Sequence, residues 1–235
     1  MLTETPTPAF LVDRPTVQRN CDRMRDKARA SGVAFRPHVK THKTVEIGRM
    51  QHTGAAGPIT VSTLAEAEHF ARDRYRDITY AVPIAPSREK LTRVAELAAQ
   101  IERLSVLVDS ERALRALEEF AAPRGFAFDV FLKVDCGYHR AGVDPESPDS
   151  VRLAMALARS ESVRFQGLLT HAGHSYNARD VEEIRRVAAE ESGSLTRFRA
   201  LLSAEGLGET LRSIGSTPTA SVVERFGECD EVRPG

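Results

Sequence analysis

Short apolar or β-branched runs alternate along this chain with longer segments whose apolar residues recur every three or four positions. The runs centre near Ala34-Phe35-Arg36, Pro58-Ile59-Thr60-Val61, Ile78-Thr79-Tyr80-Ala81-Val82, Leu104-Ser105-Val106-Leu107-Val108, Val130-Phe131-Leu132-Lys133-Val134, Phe165-Gln166-Gly167-Leu168-Leu169 and Thr210-Leu211-Arg212-Ser213-Ile214. An eighth begins at Glu231-Val232-Arg233. Continuous apolar strands separated by helices predict a parallel sheet covered on both faces. The first helix carries Val17, Cys21, Met24 and Ala28 behind Asp13 and Pro15 and stops before Gly32. That order is a cap, a first-turn proline and a terminating glycine. Thr63-Leu64-Ala65-Glu66 reads as a capping box. Leu91, Val94, Leu97 and Ile101 form another stripe, as do Val181, Ile184, Ala188, Leu195, Phe198 and Leu202 behind Asp180.

Strand followed by helix, repeated, predicts an α/β fold of the (β/α)8 TIM-barrel type. A doubly wound open sheet is the alternative, weakened by the absence of G-x-G-x-x-G after the first strand. Barrels of this kind typically need about 250 residues. The chain stops where the eighth strand starts, so the barrel is expected to be truncated near strand 8, with an open sheet edge. Phe10-Leu11-Val12 reads as one further strand without an evident partner.

Composition narrows the picture. Lys+Arg 33 balance Asp+Glu 33, which argues against a dedicated nucleic-acid binder, although basic residues outnumber acidic ones in the first fifty positions. No apolar run reaches the ~18 residues of a membrane span. The start of the chain lacks the basic and apolar regions of a leader, and Cys21, Cys136 and Cys229 are too dispersed for a disulfide framework. A cytoplasmic location, with no membrane partner, is the expectation.

Four segments carry candidate chemistry, each after a predicted strand, where barrel active sites lie. In Phe35-Arg36-Pro37-His38-Val39-Lys40-Thr41-His42-Lys43, strand alternation places Arg36, His38, Lys40 and His42 on one face. A lysine walled in among cations has a lowered pKa, and a neutral lysine is a Schiff-base nucleophile. The competing reading is a solvated basic loop. His38 and His42 also have zinc-ligand spacing if helical, which Pro37 opposes. Asp135-Cys136-Gly137-Tyr138-His139-Arg140-Ala141-Gly142 offers Arg140 in a tight loop. Thr170-His171-Ala172-Gly173-His174-Ser175-Tyr176 is a dense set of donors. Gly215-Ser216-Thr217-Pro218-Thr219 suits a phosphate before a helix, or plain capping by Thr217 or Thr219. Together they predict a phosphorylated ligand across a barrel mouth beside a lysine: a sugar phosphate, or pyridoxal phosphate.

The Arg36–Lys43 segment resembles the cofactor-lysine motif of the D-serine dehydratase and D-threonine aldolase family, pyridoxal-phosphate enzymes with a barrel of the alanine racemase N-terminal kind. The segments 135–143, 170–176, 215–219 and 231–235 are similar in family order. The resemblance implies a pyridoxal-phosphate-binding barrel domain over 1–235. Lys40 would condense with the cofactor and act as the base on a D-amino acid. His38 and Arg140, in two of those segments, belong to the same expected cofactor-binding set. His171 would flank the ring, Tyr176 would contact the cofactor, and Gly215, Ser216 and Thr217 would hold its phosphate. Arg233 matches the position near the pyridine nitrogen. The implied reaction is lysis of a β-hydroxy D-amino acid, D-serine dehydration first and D-threonine aldol cleavage second. Relatives add a β domain bearing a divalent metal (zinc or manganese) on a His-x-Cys pair. This chain has no His-x-Cys, so no metal ligand is assigned, the β domain is expected to be absent, and a fragment without turnover is an alternative. A non-catalytic pyridoxal-phosphate carrier and a basic-surface binding module are readings of other classes. The expected partners are the small D-amino acid and a second copy in a homodimer.

Overall fold

The computed structural model describes residues 5–235. The leader-free reading of the first residues falls mostly outside them. Among the described residues eight α-helices and eight strands alternate: α1 (Arg14–Ala30), β1 (Ala34–Phe35), α2 (Val45–Gln51), β2 (Ile59–Val61), α3 (Leu64–Arg72), β3 (Asp77–Pro83), α4 (Arg88–Ala98), β4 (Arg103–Val108), α5 (Glu111–Ala121), β5 (Phe128–Lys133), α6 (Pro148–Arg159), β6 (Val163–Leu169), α7 (Val181–Ala204), β7 (Leu211–Ile214), α8 (Thr217–Val222) and β8 (Glu231–Val232). Every run read as a strand within the β/α series is one.

The caps explain why the helices begin where they do. Asp13 precedes α1 with Pro15 in its first turn, and Gly32 beyond it adopts φ 70°. The Glu66 amide donates to Thr63 Oγ1 at 3.1 Å, while Glu66 Oε2 accepts from the Ser62 amide at 2.7 Å. The capping box is therefore displaced by one residue from its ideal form. Asp180 caps α7 through the Glu183 amide at 2.8 Å. The α7 stripe holds except at its first turn, where Val181 is exposed.

All strands are parallel, in the order β1-β8-β7-β6-β5-β4-β3-β2. The sheet curls until its ends meet: the Thr60 amide donates to the Pro37 carbonyl at 2.9 Å, forming the His38–Thr60 bridge. The eighth strand, expected to leave an open edge, exists as two residues. Glu231 and Val232 pair with Ala34 and Phe35 on one side and with Ser213 and Ile214 on the other. Its two residues suffice because a parallel ladder needs only short overlap where side chains also bridge. Inside the barrel, Arg36 Nε donates to Glu231 Oε2 at 2.5 Å, and its Nη1 and Nη2 reach the Asp77 carboxylate at 2.7 and 3.0 Å. Glu231 and Asp77 outweigh the burial of this guanidinium and raise its pKa, keeping it charged.

Phe10-Leu11-Val12 is not a strand. The three residues are exposed, Phe10 completely so, and pair with nothing among the described residues. Apolar, β-branched character lets a segment pair but supplies no partner.

Candidate active site

The C-terminal ends of the strands form one rim, and the four candidate segments meet there. Strand β1 ends at Phe35, and Val39–Thr41 form a single 3-10 turn. Pro37 removes a ladder donor and the turn breaks the alternation, so the shared face expected for Arg36, His38, Lys40 and His42 does not form. Arg36 lies in the barrel interior with Asp77 and Glu231. His42 is directed to Gln51 of α2 (3.4 Å) and to the Thr44 amide (3.1 Å). Neither belongs to the mouth, and the His38–His42 pair is not a metal site.

His38 and Lys40 are at the mouth. His38 is buried, its Nδ1 facing the Lys40 amide at 3.4 Å and its Nε2 facing Ser62 Oγ at 3.4 Å. Burial, reinforced by Lys40, Arg233 and His171, lowers its pKa to about 2, so the ring is neutral. Lys40 is exposed rather than walled in. Its side chain still feels desolvation and the cations Arg140 and Arg233, which lower its pKa against a weaker opposing pull from Glu66. Glu66 pairs instead with Lys43, at 3.7 Å.

After β5, Asp135 Oδ1 accepts from the amides of Gly137, Tyr138 and His139, each at 3.0 Å. These bonds overcome burial and lower the Asp135 pKa. The turn carries Arg140, exposed, with its guanidinium 5.0 Å from the centre of the Tyr138 ring. Tyr138 in turn stacks on His174, centroids 6.0 Å apart, joining this loop to the next.

After β6, His171 Nδ1 lies 2.8 Å from the Gly215 carbonyl oxygen. A carbonyl only accepts, so Nδ1 carries the hydrogen and Nε2 is left with its lone pair. Burial, with Arg233, Lys40 and Lys133 adding repulsion, lowers the His171 pKa to about 4. Ser175 Oγ lies 2.8 Å from Ser216 Oγ, tying the β6 loop to the β7 loop. Tyr176, next in the chain, is 60% exposed on the same rim.

After β7, Ser216 caps α8: it accepts from the Thr219 amide at 3.3 Å. The cap is thus neither Thr217 nor Thr219. Thr217 Oγ1 donates to the Gly235 carbonyl (3.1 Å) and accepts from the Gly235 amide (2.9 Å). A Cβ placed on Gly235 would lie 3.0 Å from Thr41 and 3.5 Å from Thr217. The residue after Lys40 and the candidate phosphate turn are therefore neighbours. Gly215 has φ 149°, and a Cβ there would stand 2.8 Å from the Arg233 amide nitrogen. Arg233 itself is buried. Its Nε donates to Ser213 Oγ at 2.7 Å and its Nη2 to the Thr170 carbonyl. Ser213 Oγ donates to Glu231 Oε1 at 2.6 Å. A hydrogen-bonded chain thus runs from Arg233 at the mouth through Ser213 and Glu231 to Arg36.

Two further residues belong to this neighbourhood. Lys133, on β5, is buried with its Nζ donating to the Val134 carbonyl at 3.1 Å, and burial lowers its pKa to about 8. Glu191, midway along α7, reaches the ends of both β6 and β7. Each interrupts an apolar pattern, Lys133 a fully buried strand and Glu191 the α7 stripe between Ala188 and Leu195, and that interruption is the signal in the sequence.

The site gathers Lys40, Lys133, Arg140 and Arg233 with two neutral histidines. Such a set repels itself and favours an anion. Among the described residues, no three His, Cys, Asp or Glu side chains gather as a metal site, and no helix is long and apolar enough to cross a membrane.

The chain is similar to D-serine dehydratase of Dictyostelium discoideum, 37% identical over 97% of this chain and 61% of that protein. It is 39% identical to D-threo-3-hydroxyaspartate dehydratase of Delftia sp. (strain HT23), over 97% of this chain and 60% of that protein. The solved structure of the Delftia protein superposes with a TM-score of 0.91, covering 100% of this chain and 61% of its own. The crystal structure of D-threonine aldolase from Filomicrobium marinum, 29% identical, superposes with a TM-score of 0.90 over 100% of this chain and 63% of its own. The chain thus spans about three fifths of the length of the relatives it matches. Residues 12–235 match the alanine racemase N-terminal domain, and the chain belongs to that family.

Proposed function

We propose that residues 1–235 are the pyridoxal-phosphate-binding domain of a lyase acting on a β-hydroxy D-amino acid, of the D-serine dehydratase type. The observation that carries this reading is Lys40 at the barrel mouth, within electrostatic reach of Arg140 and Arg233, with its chain neighbour Thr41 across Gly235 from Thr217. The named relatives supply the reaction class.

The residues fit the cofactor. Lys40 would hold it covalently, and its lowered pKa favours the uncharged amine that attacks an aldehyde. Gly215, Ser216 and Thr217 would hold the phosphate through the turn before α8, where Pro218 has no amide and the Thr219 amide is taken by Ser216. His171, fixed as the Nδ1 tautomer, would flank the ring with an uncharged face. Arg233 would stand near the pyridine nitrogen, and a fixed cation there opposes protonation of that nitrogen. His38, neutral and buried beside the Lys40 backbone, would exclude water, while Arg140 and Tyr176 would close the site from the rim. Bound pyridoxal phosphate supplies an electron sink for the bond broken at Cα. Lys40 would then take up and return the Cα proton. The divalent metal is proposed to belong to the part of the relatives that this chain does not span, and the cytoplasm and a homodimer remain the proposed setting.

Incubation with pyridoxal phosphate and D-serine tests the reading. Pyruvate and ammonia are the expected products, and Lys40→Ala abolishes both cofactor uptake and turnover. The similarity to a D-threonine aldolase structure favours a second reading, in which D-threonine gives glycine and acetaldehyde at the same lysine. Cofactor uptake that persists in Lys40→Ala overturns both readings.

A further inference from the structure

Glu191 is 1% exposed on the inner face of α7, where the stripe of this helix asks for an apolar residue. A buried carboxylate is costly unless hydrogen bonds replace its water. Here a single oxygen, Oε1, accepts three: from the Thr170 hydroxyl at 2.8 Å, the Ala172 amide at 3.1 Å and the Gly215 amide at 3.1 Å. Thr170 and Ala172 are the two chain neighbours of His171. Gly215 is the residue whose carbonyl takes the hydrogen of His171 Nδ1. The contacts close a ring: Glu191 to Ala172, along the chain to His171, across to Gly215 and back to Glu191. Arg233 also links the two strand ends, through Ser213 and the Thr170 carbonyl, but Glu191 does so from the helix layer and through the residues that flank and face His171.

We propose that Glu191 is a positioning residue of the cofactor site, setting through one oxygen the tautomer and orientation of His171 and the shape of the Gly215–Thr217 turn. The inference rests on the functional reading above for what the site binds, but its geometry is a property of the chain alone. The cations facing His171 are Arg233 from beyond β8, Lys40 from the 3-10 turn and Lys133 from β5; His38, from beyond β1, is neutral, while Cys136 meets the His171 backbone and Glu191 its two chain neighbours. The three cations and burial oppose a charged ring, so a ring kept in place stays neutral. A ring released toward water titrates nearer its ordinary value.

The test reads histidine ring nitrogens by long-range 1H–15N correlation in the chain without added cofactor, with His171 assigned by its loss in His171→Gln. Wild type is expected to show one tautomer, hydrogen on Nδ1, with a midpoint near pH 4. Glu191→Ala is expected to mix the two tautomers and move the midpoint upward. Glu191→Gln keeps an acceptor oxygen and is expected to restore the single tautomer. Should Glu191→Ala fail to fold, Thr170→Val, which removes one of the three donors, is expected to shift the midpoint in the same direction by less. A purely structural contribution would lower the melting temperature and leave the His171 tautomer as in wild type, and that result overturns the inference. Pyridoxal-phosphate uptake by wild type is measured in parallel. Its failure sinks the functional reading, whereas uptake with unchanged His171 signals in the folded variant sinks only the role of Glu191.

Discussion

Arg36, just past the first strand of the barrel, and Glu231, on the last, are joined by a 2.5 Å hydrogen bond from Nε to Oε2. Both side chains are less than a tenth exposed, and the same guanidinium grips Asp77 at the start of β3. Removing one partner of a buried pair strands the others without water. Arg36→Met is therefore expected to destabilise the fold by about 3–5 kcal/mol. Arg115→Met, which breaks the exposed pair with Glu111, should cost at most about 1 kcal/mol. Urea midpoints compare the two; equal losses would show that the interior pair has no special part in closing the barrel.

Stability should fall with acid in a defined window. His38 and His171 are held neutral in the folded chain, with pKa values of about 2 and about 4 against an ordinary 6.5. Below about pH 6.5 the unfolded chain takes up protons that the folded one refuses, so stability is lost as pH falls and is complete above that value. Each histidine contributes up to about 1.4 kcal/mol per pH unit in this range. His171→Gln, which cannot charge, should flatten the slope between pH 6.5 and 4. An unchanged slope would place the acid sensitivity elsewhere.

Lys40 should react with aldehydes at lower pH than a surface lysine. Desolvation is the first cause of its lowered pKa and Arg140 the next. Arg140→Gln removes a cation and should move the midpoint of adduct formation up, by a few tenths of a pH unit, because an exposed charge is screened by salt. A downward movement would mean that Arg140 acts on Lys40 by another route.

Gly215 cannot bear a side chain without moving the Arg233 backbone 2.8 Å from its Cβ position, and its φ of 149° is one that other residues rarely adopt. Gly215→Ala is expected to cost about 1–3 kcal/mol and to weaken cofactor uptake at least tenfold. Gly208→Ala, in open space, should do neither. Normal uptake by Gly215→Ala would remove this turn from the site.

The strands were legible because a parallel sheet buried on both faces demands apolar runs, as in Val106–Val108 of β4 and Val130–Leu132 of β5. The eighth strand was legible as a start but not as a closure, since its stability comes from Arg36 and Ser213, distant in sequence. A motif singles out Lys40 and its neighbours, yet strand alternation misplaced Arg36 and His42. Alternation holds only while the chain remains extended, and Pro37 ends it. Phe10-Leu11-Val12 shows the converse, a strand-like composition without a ladder. Glu191 and Lys133 escaped because a periodic pattern is read from its apolar members, while the charged residue that breaks it is the informative one.

The most direct measurement is the site of attachment. The chain is mixed with pyridoxal phosphate, reduced with borohydride, digested and mapped by mass spectrometry. The account predicts a pyridoxyl group on Lys40 at one per chain, lost in Lys40→Ala. A modification spread over surface lysines, or one retained in that variant, would contradict it.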